Sequence, residues 1–162
     1  SVLFVWHVGE EKGLLGSAWF VDHPTVPIDS IVAQLNADMI GRNARSELYL
    51  VGPRAAPNGQ GKRLGAIVDS VNAREREPFV INRDYDSATH PEHVFERSDH
   101  YNYSRKGMPV AFFTTGWHSD YHRPSDEADK IDYDKLARVA RLIRDVTVVL
   151  GNSSSRPGTV GR

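Results

Sequence analysis

Three short apolar runs, each followed at once by acidic or imidazole side chains, constrain this chain more than any other feature. Val2–Val8 precedes Glu10-Glu11, Ile31–Leu35 precedes Asp38, and Met108–Thr114 precedes Tyr121-His122 after one short loop. Runs of this length without polar interruption are the pattern of strands covered on both faces. Between them lie stretches with helical spacing. Lys12–Asp22 carries Leu14, Leu15, Ala18 and Trp19 and is ended by His23-Pro24. Lys62–Val71 carries Leu64, Ile67, Val68 and Val71; Asp134–Leu150 carries Leu136, Val139, Ala140, Ile143, Val146 and Leu150. Glu47–Val51 alternates like an edge strand, and Phe79–Ile81 reads as a short strand. Gly52–Gly61 and the His-rich Arg83–Arg97 read as loops, and Ser98 as the N-cap of a short helix. Strands interleaved with helices predict an α/β layered domain: a largely parallel, mixed sheet with helices on both faces.

The 162 residues suit one domain, taken as 1–150, with 151–162 read as a disordered tail from its Gly, Ser and Pro content. A buried-type run starting at residue 2 suggests a sheet incomplete at its N-terminus, which would expose an edge and apolar surface and favour self-association. The 20 basic and 21 acidic side chains balance to −1, so nothing in the charge points to nucleic acid or an anionic membrane. No apolar run reaches the roughly 20 residues that cross a bilayer. With no cysteine, any metal must sit on His, Asp or Glu.

In open α/β sheets, ligands bind beyond the carboxyl ends of the strands, so residues far apart in sequence converge at one rim. Glu10 and Glu11 are adjacent and point in different directions. One can bind a metal while the other faces the water that the metal acidifies. On the pair alone, the commoner reading is two acids favouring the positive end of the next helix. Asp38 can bind metal or cap the turn near Gly41. His122 can be a ligand or a solvated loop residue. Ser98-Asp99-His100 reads mainly as capping with a supporting role. Gly59–Arg63 lacks the residues of a phosphate loop, His90 and His93 read as solvated, and no Gly-x-Ser-x-Gly elbow is present.

GEEKGLLGS (9–17), LNADMIGR (35–42), RSDHYNYSRKGMPVAFF (97–113) and DYHRPSDEADKID (120–132) occur in that order. Together they resemble the M28 metallopeptidase family, of the aminopeptidase Y or bacterial leucyl aminopeptidase type, over 2–150. The resemblance implies a zinc-dependent exopeptidase, of aminopeptidase type, acting on peptides with two zinc ions. By motif, Glu10 matches the general base, Glu11 and His122 ligands of one zinc, and Asp38 a ligand of the other. Tyr121 matches a donor to the oxyanion. The family pattern also requires a His-x-Asp pair ahead of GEE. None precedes Gly9, and His118-Ser119-Asp120 belongs to the last motif. With so few donors, one zinc or none is expected here, with weak or no activity of these residues alone. Two alternatives share the scaffold: glutaminyl-cyclase-like acyl transfer, and a non-catalytic interaction domain. The resemblance is compatible with export from a bacterial cell, but no signal peptide is visible and the compartment stays open.

Overall fold

The computed structural model describes residues 1–158. Four strands form one open mixed sheet: β1 (Gln34–Ala37), β2 (Glu47–Val51), β3 (Val80–Asn82) and β4 (Val110–Thr114). Their spatial order is β1-β4-β2-β3. β1 pairs parallel with β4 in the register Gln34 to Val110, β2 pairs parallel with β3, and β2 pairs antiparallel with β4. Four helices flank the sheet: α1 (Leu15–Asp22), α2 (Lys62–Asn72), α3 (His100–Arg105) and α4 (Tyr133–Asn152).

β4 explains the layering. All five of its residues are buried, and alternate side chains serve opposite faces. Val110 and Phe112 join Phe20 and Val21 of α1 and Tyr103 of α3 in one apolar core. Ala111 and Phe113 join Leu64 and Val68 of α2 and Val139, Leu142 and Val146 of α4 in the other. Helices therefore cover both faces, as the continuous apolar run of β4 requires.

Several expectations need correction. Val2–Val8 forms no strand. Among the described residues the backbone of 1–7 has no hydrogen-bonded partner, and Phe4 and Trp6 stand 74% and 84% exposed, their rings stacked on each other. A strand needs a neighbour to take its N–H and C=O groups, and none lies alongside. β2 is an inner strand and not an edge, because β4, far ahead in sequence, pairs with its second side. Its alternation reflects two faces of different packing, with Glu47 bonded to Asn82 across the ladder. α1 buries Ser17, Phe20 and Val21, and leaves Leu15 and Trp19 exposed. The face is chosen by a polar contact: Asn102 of α3 donates to Ser17 Oγ at 3.0 Å.

α4 buries Leu142 and Lys135 besides the expected stripe, while Ala140 is exposed. Lys135 donates to the carbonyls of Arg42 and Ala44 at 2.7 and 2.6 Å. Arg138 lays its guanidinium 4.3 Å over the Phe79 ring and donates to the carbonyls of Arg45 and Glu77. Within the stretch read as a tail, α4 runs on to Asn152, Ser155 accepts from Arg63 at 2.5 Å, and Pro157 is buried. Residues 159–162 of that stretch lie outside the described residues.

Candidate metal-dependent hydrolytic site

The Glu10-Glu11 pair sits in a one-turn 3-10 helix, Glu10–Lys12, leading into α1. Gly9 enters it at φ 68°, a left-handed conformation that glycine adopts without penalty. The turn is tied to the framework twice. Gly16 N–H donates to Val8 O at 2.9 Å, and Asn102 of α3 donates to Leu14 O at 3.3 Å. Asp38 follows β1, its N–H bonded to Phe113 O of β4. Met39 then accepts from both the N–H and the hydroxyl of Thr115, at 2.8 and 2.6 Å. The loops after β1 and β4 are thus stitched edge to edge. The β4 loop brings Tyr121 and His122 back over this rim, the two rings stacked at 3.9 Å.

All five side chains singled out in the sequence line one open cleft of about 390 Å³. Glu11 Oε1 and His122 Nε2 are 3.0 Å apart, although 111 positions separate them. Asp38 is half-buried and has a relay behind it. Asn36 donates to Ser98 Oγ at 2.8 Å, and Ser98 donates to Asp38 Oδ2 at 3.0 Å. Ser98 therefore does not cap α3; it orients a carboxylate. The position next to α3 falls to Asp99, which makes no side-chain cap bond. Met39, Val94, Phe112, Tyr85 and Trp117 give the cleft an apolar and aromatic wall beside these acids.

The electrostatics are those of crowded anions. Burial, and then the nearby charges of Asp38, Glu11 and Asp99, push the Glu10 carboxyl up to about 7. Burial also raises Asp38, against the Ser98 hydrogen bond and with help from Asp99 and Glu11. Asp99 Oδ1 is buried and finds no partner. Such a cluster stands far from neutral compensation and invites a cation. Among the described residues, three of the six non-glycine positions with positive φ, namely Leu14, Met39 and His122, also lie in this cleft. Strained backbone gathers at sites where a side chain must be aimed.

Do these residues fit zinc? The Glu11–His122 pair does. They meet in a hydrogen bond of 3.0 Å, and two donors of one tetrahedral ion, each about 2.0–2.2 Å from it, stand roughly 3.3–3.6 Å apart, so a small opening of the pair would admit the ion. Asp38 offers a second, separate carboxylate. Among the described residues no three such side chains stand close enough to form a complete cage.

Sequence reasoning gave Asp99 only a share in a capping and supporting run, and gave no role to Arg42, Asp120 or Asp126. Arg42 Nη2 lies 2.6 Å from Asp120 Oδ2, and Arg42 Nη1 contacts Asp126 Oδ1. Lys130, Ser125 and Arg42 together hold the Asp120 carboxyl well below the usual carboxylate range. Arg42 ends the LNADMIGR run and Asp126 lies within DYHRPSDEADKID, so the charge pairing of the two runs was the available signal.

Similar proteins place the chain in a family and a fold. Probable leucine aminopeptidases of Arthroderma benhamiae and Arthroderma otae are each 29% identical, over 86% and 88% of this chain. The chain spans only 36% and 37% of those relatives' own lengths. Among solved structures, the LapA aminopeptidase of Legionella pneumophila superposes with a TM-score of 0.69 at 21% identity, over 94% of this chain and 40% of that one. A zinc aminopeptidase from Bacillus subtilis gives 0.63 at 19%, over 94% of this chain and 37% of that one. These two share the fold. The model of peptidase family M28 matches residues 1–147, and the chain belongs to that family.

Proposed function

We propose that this chain carries part of the catalytic site of a zinc-dependent exopeptidase, of aminopeptidase type. The observation that carries the reading is the meeting of Glu11 and His122 at 3.0 Å on the rim of the sheet, beside Glu10 and the half-buried Asp38. Glu11 and His122 would hold one zinc ion, and Asp38 would be a ligand of a second. Bound zinc supplies Lewis acidity, which acidifies a water and polarises a carbonyl.

This chain's own residues do the rest. Glu10, aimed differently from Glu11 by the 3-10 turn, takes a proton from the attacking water as its oxygen bonds to the scissile carbonyl carbon. When the C–N bond breaks, Glu10 returns that proton to the leaving amine. Tyr121 hydroxyl donates to the oxygen that gains charge. The wall of Met39, Val94, Phe112 and Trp117 suits an apolar side chain of the peptide, in keeping with the leucine aminopeptidase names of the relatives. Glu11 and His122 offer one ion two donors where catalytic zinc sites use three. Weak zinc binding and low turnover by these residues alone follow.

Zinc titration by calorimetry, beside hydrolysis of leucine p-nitroanilide, tests the reading. Glu11→Ala and His122→Ala are each expected to abolish zinc binding. Glu10→Gln is expected to keep binding and to lose whatever turnover the native chain shows. Zinc binding indifferent to both Glu11→Ala and His122→Ala would sink the assignment of the ligand pair.

A further inference from the structure

We infer that Arg42 is a positioning residue that sets where His122 stands, acting through Asp120 and Asp126. His122 is half exposed, on a loop whose backbone turns are all local: Tyr121 N–H to His118 O, Arg123 N–H to Asp120 O, and Asp126 N–H to Arg123 O. Such turns shape a loop without fixing it to the body. Lys130 and His118 add charged contacts within the loop to Asp120 and Asp126, and His122 itself meets Glu11. The tie from those two carboxylates to the body is one guanidinium, which reaches Asp120 with one nitrogen and Asp126 with the other. Asp120 precedes Tyr121-His122 and Asp126 follows it, so Arg42 grips the loop on both sides of the imidazole. Arg42 itself is fixed. Its N–H donates to Thr115 Oγ1, and Asn43 beside it donates to Thr115 O and Trp117 O at 2.8 Å each.

The segment that carries Arg42 also carries Asp38, four residues earlier. One short stretch after β1 therefore supplies a carboxylate to the cleft and the clamp that holds the opposing imidazole. Surface ion pairs contribute little to stability, but this one is mostly enclosed, with Arg42 and Asp120 side chains 14% and 15% exposed. A planar guanidinium can serve two carboxylates in fixed directions; an ammonium is a point charge and cannot. The role follows from geometry, and only its zinc readout rests on the proposed ligand pair of Glu11 and His122.

The test compares amide hydrogen exchange and zinc affinity in the native chain, Arg42→Ala, Arg42→Lys and Arg83→Ala. Arg83 is a similarly enclosed arginine, paired with Asp69 and Asp86 away from this loop. Arg42→Ala should lose protection at Tyr121, Arg123 and Asp126, with Leu142 and Val146 of α4 unchanged. Arg42→Lys should restore it only in part. Zinc affinity should fall about 10–100-fold in Arg42→Ala, the usual cost of losing a group that orients a ligand, and hold in Arg83→Ala. Unchanged exchange in the loop, or equal loosening of loop and α4, would overturn the inference. A native chain that binds no zinc, with the loop still loosened by Arg42→Ala, would sink the ligand pair and uphold the clamp.

Discussion

His100 is a buried imidazole that the proposed chemistry does not use. It lies flat against Phe112 at 4.6 Å between the ring centroids, with Phe95 edge-on, and it is fully buried. Burial pushes its pKa down to about 3. A base whose folded pKa is depressed contributes stability that is complete above its unfolded value and is lost as pH falls towards the folded one. The window here runs from about 6.5 down to about 3. His100→Phe should therefore lose less stability than the native chain between pH 7 and pH 4, read as the shift in urea midpoint. Equal shifts would show that this imidazole titrates freely. The same scale shows what the sequence could carry about the site. Glu10, Glu11, Asp38 and His122 were legible because each follows a strand or a glycine turn, and the cleft does gather them. The supporting role read for Ser98 holds, but its target Asp38 and the reach of Arg42 were not legible, because nothing in a linear sequence says which carboxylate a serine will turn to, or that an arginine will reach residues 78 and 84 positions away.

At the scale of elements, Gly16 in the first turn of α1 decides where the Glu10-Glu11 turn can sit. A Cβ there would come within 2.5 Å of Val8 O and 2.7 Å of Val8 N, both backbone atoms that must move. Gly16→Ala should displace the turn and weaken zinc binding. Gly151 in α4 meets nothing within 4 Å. Gly151→Ala should leave zinc binding alone and add up to about 1 kcal/mol of stability, because alanine narrows the unfolded ensemble. Leu142→Ala, at a fully buried position of the same helix, should cost about 2–5 kcal/mol in a denaturant titration. α2, α4, β2 and β4 were legible within a residue or two, since each carries a periodic face that packs on the sheet. α1 was read on the wrong face because it is apolar nearly all round, and one asparagine on α3 settled the matter.

Over the whole molecule, the sequence showed the class of fold but not the strand order, which no local pattern encodes. The same gap misplaced Val2–Val8, whose composition asks for a covered strand. Phe and Trp side chains bury about 150–250 Å² each. Phe4, Trp6 and Trp19, at 74%, 84% and 62% exposed, leave much of that in water. Leu15 and Trp19, one helical turn apart on α1, are likewise exposed. Phe4→Ser with Trp6→Ser should reduce binding of a hydrophobic dye and raise solubility, with the thermal midpoint little changed; a large drop in that midpoint would show that these rings support the core after all. The sheet order carries a different consequence. β4 is the last strand among the described residues, yet it lies between β1 and β2. While the polypeptide is being synthesised, neither earlier strand has its central neighbour until about residue 114 has emerged. Loop closure over such distances is slow. Until then the edges of β1 and β2 that β4 later joins stay open to pairing with other strands.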